Sequence, residues 1–305
     1  MASRDPSPGG VLLVDKPGGI TSHDVVARSR RAFGTRRIGH AGTLDPMATG
    51  LLVLGIEGAT RLLTYLVGLG KTYTATIRLG QATTTDDGEG DVVSAADAQA
   101  VAQVSDDAIA AGAERLTGTI SQVPSAVSAI KVDGRRAYDR VRAGERVELA
   151  PREVTVSRLD VVAVRRGEGS VDLDVVVDCS SGTYIRALAR DLGADLGVGG
   201  HLTALRRTHV GPFDVAQAVA VDDLDAATPQ DPAEIAARVL GRFDATAEEA
   251  RDLRHGKRLE GAAARLDGSL AAAVDPDGAL IGVVERRGSA LKSAMNMPEP
   301  RAGRA

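Results

Sequence analysis

Between Tyr73 and Leu79 the chain alternates. Tyr73, Ala75, Ile77 and Leu79 face Thr74, Thr76 and Arg78 in strict succession. Side chains of an extended strand point to opposite faces in turn, so a period of two predicts a strand with one buried face. Such a strand needs other elements to cover it, and the flanking sequence offers them. Val11–Val14 is a short apolar run closed by the turn DKPGG, Asp15–Gly19. Thr21 or Ser22 can cap a following helix with Val25, Val26, Ser29 and Phe33 on one face. Leu51–Ile56 is a buried run too short for a helix, and residues 59–69 carry Leu62, Leu63, Leu66 and Val67 at helical spacing. Residues 80–91 read as loop and 95–116 as an Ala-rich helical stretch. Val154–Val164 and Val171–Val177 predict a hairpin joined at RRGEGS, Ile185–Leu196 a helix, and Ala204–Phe213 a strand. Strands and helices mix without a βαβ rhythm, which makes the fold class α+β.

A chain of 305 residues has room for two domains. Composition loosens at AATPQDPA, Ala226–Ala233, and beyond it Ala271–Val274 and Ala279–Glu285 flank DPDG, a strong hairpin signal. The expected organisation is a disordered lead-in at 1–9, a main domain at 10–235, a small β-rich domain at 240–292 and a disordered tail at 293–305. Residues 124–151 are polar, basic and Gly-punctuated, and read as an insertion into the main domain.

Composition excludes several function classes. A single cysteine, Cys179, rules out an intramolecular disulfide and a cysteine-cluster zinc site, and the five histidines include no HxxxH pair. A net charge of −4 excludes a globally basic nucleic-acid coat but not a local basic face. Aromatics make up 2% of the chain, so recognition by many stacked rings is excluded and each tyrosine gains interest. No apolar run is long enough to span a bilayer and the N-terminus lacks a secretory core, so a cytoplasmic location is expected. GLGKT at Gly68–Thr72 mimics a phosphate-binding loop, but Tyr65 stands where its first glycine belongs. No GxSxG motif supports a serine hydrolase.

Two segments can carry chemistry. GHAGTLDPMATG, Gly39–Gly50, packs three glycines, a proline, His40 and Asp45 between a helix and a buried strand. A loop so dense in conformationally special residues is positioned rather than merely tolerated. Pro46 pushes Asp45 extended, and an Asx-turn is the plain alternative. In CSSGTYIRALARDLG, Cys179–Gly193, Arg186 stands near a helix start, where the dipole disfavours a cation. An inward carboxylate partner would explain it, and an exposed arginine is the plain alternative.

Taken in order, VDKPGGITSHDVV, RRIGHAGTLDPMATGLLVLGIEGATRL, KTYTATIRLGQATTTDDGEG, VPSAVSAIKVDGRRAYDRVRAG, CSSGTYIRALARDLG and HLTALRRTHVGPF resemble the bacterial tRNA pseudouridine synthase B family over about residues 10–215. The resemblance implies a mixed, largely antiparallel central sheet flanked by helices, with a PUA-like RNA-binding domain after it. It implies an isomerase that converts the T-loop uridine of tRNA to pseudouridine without cofactor or metal. Asp45 matches the catalytic aspartate, Tyr73 the tyrosine that stacks on the target base, and Arg186 the arginine that pairs with the catalytic carboxylate. His40 matches the histidine that fills space vacated by flipped bases. Tyr184 and Leu205 match pocket walls, and Lys16 with Pro17 the brace beneath the site. The 124–151 insertion is expected to fold over the T-loop. The partner is tRNA, no protein partner is called for, and the chain is taken as a monomer.

The residue types suit the reaction. The N1–C1′ bond must break, the uracil must turn, and C5 must bond C1′; a carboxylate can serve an oxocarbenium-like carbon as nucleophile or stabiliser. Two other classes stay open: a non-catalytic tRNA binder that assists folding, and a nucleoside N-glycosidase that would release free uracil.

Overall fold

The computed structural model describes residues 9–125 and 149–298, with the backbone alone of Lys131–Val132 and Arg135–Arg136. Residues 1–8 of the expected lead-in at 1–9 and most of the 124–151 insertion lie outside the described residues. Contacts divide the chain into two compact units, each discontinuous in sequence: 1–46 with 50–67 and 211–305, and 47–49 with 68–210.

In the first unit the Gly10–Lys16 strand pairs antiparallel with Thr49–Ile56 and parallel with Val219–Ala220, and Ile38–Ala41 adds to the far edge of Thr49–Ile56. The Ser22–Ala32 helix starts as expected. Thr21 is its cap, closing a capping box with Asp24. Its buried stripe, Val25 and Val26, joins Leu12, Val14, Leu52 and Leu54 in one apolar core. Covering that stripe drives the packing, at about 1.5–3 kcal/mol per buried Val or Leu. Residues 59–69 are only partly α-helical: Glu57–Leu62 is a 3-10 turn and the α-helix is Leu63–Leu66.

The same unit holds a second sheet, in the order Arg242–Asp244, Leu270–Val274, Leu280–Arg287, Ala290–Asn296. The DPDG hairpin forms where expected, with Asp275 accepting from the amides of Asp277 and Ala279 and Gly278 at φ 87°. Phe243, Leu253, Ile281, Val284 and Leu291 fill its own core. The expected disordered tail needs correction at its start. Ser293–Asn296 continue a strand, because pairing with Leu280–Arg287 gives their backbone a partner that local composition does not reveal.

The second unit is an antiparallel sheet ordered Gly200–Val210, Lys71–Leu79, Ser170–Cys179, Arg152–Gly167, Gly118–Gln122. Lys71–Leu79 shows the predicted alternation, with every odd position buried. Thr72, Thr76 and Arg78 on the polar face bind Asp178, Asp174 and Asp172 of the next strand, at 2.6, 2.8 and 2.7 Å. The hairpin strands run longer than predicted, Arg152–Gly167 and Ser170–Cys179, turning tightly at Glu168 and Gly169, the latter at φ 68°. The Ala-rich stretch splits into Ala98–Ala102 and Asp106–Arg115, because the Ser105 hydroxyl accepts from the Ala108 amide and starts a new helix. Within the expected loop at 80–91, Gln81–Thr83 pairs with Val92–Ala95. The Ile185–Asp195 helix packs against Gly200–Val210. It approaches so closely at Gly193 that an added Cβ would lie 2.1 Å from the Gly200 nitrogen.

Candidate active site

Each unit gathers one group of the residues singled out in the sequence. In the first unit the group is built around the 42–46 loop. Because Thr21 takes the helix cap, the Ser22 hydroxyl is available for other work. It is fully buried, accepts from the Leu44 amide at 2.9 Å and donates to the Leu44 carbonyl at 3.1 Å. On the other side of Asp45, the fully buried Lys16 amine donates to the carbonyls of Pro17, Ile20 and Pro46, at 2.9, 2.7 and 3.2 Å. Three bonds use all three ammonium protons. The Gly19 amide adds a bond to the same Pro46 carbonyl at 2.9 Å. The backbone is thus fixed immediately before and after Asp45, whose own side chain is only half-buried. His40 lies within the Ile38–Ala41 strand and meets the exposed His23 ring edge-on, centroids 5.5 Å apart.

This arrangement makes Lys16→Met informative. The apolar stem survives, but the Pro17 and Ile20 carbonyls lose this donor while Pro46 keeps the Gly19 amide, and an unsatisfied buried acceptor costs about 1–3 kcal/mol. Denaturant unfolding should show a loss of about 3 kcal/mol, with turnover falling further than stability explains. An unfolding midpoint equal to the parent's would refute the bracing role.

In the second unit the group lies on the buried face of the sheet. Tyr73 is 7% exposed and stands in register with Val177 on one side and Arg207 on the other; Leu205 is opposite Ala75 on the same strand as Arg207. Lys71 and Cys179 are register partners and both buried. Burial, reinforced by the nearby Arg207 charge, pulls the Lys71 amine down to about 8, and burial pushes the Cys179 thiol up to about 11. Sequence reasoning missed both buried cations, Lys71 and Arg207. Their spacing of two from Tyr73 and Leu205, which puts them on the same strand face, was the available signal.

Arg186 is buried at 4% exposure, so the exposed alternative does not hold. Its guanidinium donates to the Thr85 carbonyl at 2.7 Å and lies 3.3 Å from Asp87, itself 3% exposed. Asp87 is therefore a carboxylate partner that sequence reading passed over as loop. It is held by the Glu89 amide and the Thr85 hydroxyl, while the Thr83 hydroxyl donates to its carbonyl. Tyr184 is positioned through its backbone: Gln122, 2% exposed, accepts from its amide at 2.8 Å and donates to its carbonyl at 3.1 Å. A cavity of about 500 Å³ opens along Thr74, Thr76, Asp174, Thr203 and Arg206; of the residues singled out, Leu205 borders it.

Among the described residues there is no cluster of three or more His, Cys, Asp or Glu able to hold a metal, and no helix long and apolar enough to cross a membrane.

Comparison with known proteins matches residues 30–185 to the TruB family pseudouridylate synthase N-terminal domain and 186–242 to the tRNA pseudouridylate synthase B C-terminal domain. Residues 240–298 match the tRNA pseudouridine synthase II C-terminal domain. The tRNA pseudouridine synthase B of Leifsonia xyli is 57% identical, over 95% of this chain and 96% of that protein. That of Rhodococcus jostii is 56% identical over 97% of each, and that of Mycobacterium ulcerans 53% identical over 97% and 98%. Among solved structures, a Cbf5-Nop10-Gar1 complex aligns with a TM-score of 0.68 at 25% identity, over 95% of this chain and 85% of that one. An H/ACA RNP bound to a substrate RNA containing 2'-deoxyuridine aligns with the same TM-score at 23% identity, over 96% and 86%, and shares the fold.

Proposed function

Because the chain belongs to the TruB family, and is a tRNA pseudouridine synthase isomerising the T-loop uridine at position 55, we propose that Asp45 is the carboxylate acting on that uridine. The observation that carries this is the double anchoring of its loop, by Ser22 at Leu44 and by Lys16 at Pro46. A carboxylate on a backbone fixed at both neighbours is pre-oriented, and such positioning removes entropy cost from the reaction step.

The chemistry needs no second reagent: the N1–C1′ bond breaks, C5 bonds C1′, and the C5 proton departs while N1 regains one. The base must leave its stack, at a cost of a few kcal/mol. Stacking on the Tyr73 ring returns about 1–3 kcal/mol of this. Arg186 supplies positive charge to Asp45, the pairing that the family resemblance implies. Tyr184 and Leu205 wall the base pocket, His40 fills the gap left by the flipped nucleotide, and Lys16 braces the loop. The chain acts as a monomer in the cytoplasm, with a catalytic domain at 10–235 and a C-terminal domain that starts at 240 and includes the strand ending at Asn296. Incubation with uridine-labelled tRNA tests the activity. Pseudouridine is the expected product; free uracil would mean an N-glycosidase, and no change in a tRNA-binding protein would mean a binder only.

The β-rich, PUA-like C-terminal domain is proposed to bind the tRNA arm away from the reacting uridine. Truncation is a poor test, because the Pro232–Leu240 helix buries Ala233, Ile235 and Ala236 in the first unit. Exposed cations offer a better one. Replacing Arg251, Lys257 and Arg258 together with Ser should raise KM for full-length tRNA about tenfold and leave kcat unchanged, since remote contacts contribute uniform binding. The slope of log affinity against log salt should fall by about three. Equal KM values for variant and parent would exclude this surface.

A further inference from the structure

Helix Ile185–Asp195 carries two arginines on one face, Arg186 and Arg190, four residues apart. Both reach the same turn. Arg186 binds Thr85 and Asp87, while the Arg190 guanidinium lies 3.2 Å from Asp86 and donates to the Val123 carbonyl at 2.8 Å. It also contacts Asp191 of its own helix at 2.8 Å.

Successive side chains of an extended chain diverge, so Asp86 and Asp87 would not both face one helix. They do so because Asp86 sits at φ 61°, in the left-handed region. Asp and Asn tolerate that region better than most residues. The turn is also tied to the sheet, since the Leu202 amide donates to the Asp86 carbonyl at 3.0 Å.

Asp86 has a third neighbour. The fully buried Ser125 hydroxyl lies close enough to favour its charged form, although it closes no hydrogen bond of ordinary geometry. Burial opposes that form most strongly and raises the Asp86 carboxyl, while Arg190 and Arg186 lower it. Val123 and Ser125 follow the Gly118–Gln122 strand, whose Gln122 clamps Tyr184 at the start of the same helix.

We propose that Asp86 and Arg190 form a clasp joining the 85–87 turn and residues 123–125 to the helix that presents Arg186. Both are positioning residues for isomerisation and act through Arg186. The inference rests on the reading of Arg186 as a group that serves the reaction. Arg186 alone can hold Thr85 and Asp87, but nothing in that contact fixes the helix against residues 123–125. Arg190 does so, and Asp86 neutralises it inside the fold.

The test uses full-length protein with Asp86→Asn, Arg190→Gln and the double variant. Asn keeps the left-handed preference and removes only the charge. Each single variant should slow pseudouridine formation in single turnover at saturating tRNA about tenfold, the scale of one lost charged contact. The tRNA Kd should stay within about twofold, because the Asp86 and Arg190 charges are turned to each other, and the melting temperature within about 3 °C, because the contact is partly exposed. The double variant should be no slower than the slower single, as expected of one coupled contact. Single-turnover rates within twofold of the parent, in a background where Arg186→Lys is crippled, would overturn the clasp. So would a rate loss that disappears on cooling below the melting transition. A parental rate in Arg186→Lys itself would overturn the Arg186 reading instead. If Asp86→Asn fails to fold, Arg190→Lys carries the same question: it keeps the charge toward Asp86 but cannot also bond Val123, so an intermediate rate supports the clasp and a parental rate refutes it.

Discussion

Asp45→Asn should abolish pseudouridine formation while tRNA binding persists. The substitution is nearly isosteric and removes one negative charge. It does not touch what holds the loop, because Ser22 binds Leu44 and Lys16 binds Pro46 through backbone atoms. The Asp45 side chain is half-buried, so a neutral amide there meets no severe desolvation. Stability should change by less than about 1 kcal/mol, as is usual for a change that leaves no cavity and no unpaired buried charge. Chemistry should suffer far more. Loss of a group that forms or stabilises the reacting centre typically lowers turnover by about 10³-fold or more. The measurement is pseudouridine in tRNA after single turnover, beside a binding isotherm on the same preparation. A rate within tenfold of the parent would remove Asp45 from its role. Loss of binding together with rate would instead point to a collapsed loop.

How far the sequence reached depended on the range of the forces involved. The Lys71–Leu79 strand was legible because alternation is a local consequence of burying one face, and the DPDG hairpin because its turn chemistry lies within four residues. Asp45 and Arg186 stood out as residue types in unusual places, and the family resemblance supplied their roles. Asp87 was hidden: 99 positions separate it from Arg186, and only the folded sheet brings them within 3.3 Å. Asp86 was hidden differently. Its left-handed backbone leaves no periodic trace, and its partner Arg190 lies on a helix 104 positions away. Gln122 and Tyr184 meet across 62 positions. Ser22 was seen as a possible cap, but which of two adjacent hydroxyls caps and which holds Leu44 was decided by packing. The strand at Gln81–Thr83 is three residues long, too short for any period to register.

Arg186→Lys should be the second severe lesion, although it conserves charge. The guanidinium is 4% exposed and serves two acceptors at once, the Thr85 carbonyl at 2.7 Å and the Asp87 carboxylate at 3.3 Å. A planar fork can hold both with fixed geometry, whereas an ammonium is a compact point charge on a flexible stem. Lysine at this position must choose, and it also arrives with a shorter reach. If it follows Asp87, the Thr85 carbonyl loses its charged donor; if it follows Thr85, Asp87 keeps its charge in a buried site with weaker compensation. Either way the positive charge moves from where Arg186 holds it, and displacement of about 1 Å in a catalytic arrangement costs on the order of 10²-fold. The expected result is a single-turnover rate lower by about 10²-fold, with tRNA Kd near the parent's because the residue is buried. Breaking a buried charged contact also lowers stability, by about 1.5–3 kcal/mol for the weakened hydrogen bonds. The rate must therefore be measured well below the melting transition of the variant. Turnover within threefold of the parent at such a temperature would show that position 186 needs only a positive charge, and the two-acceptor geometry would then have no part in the reaction.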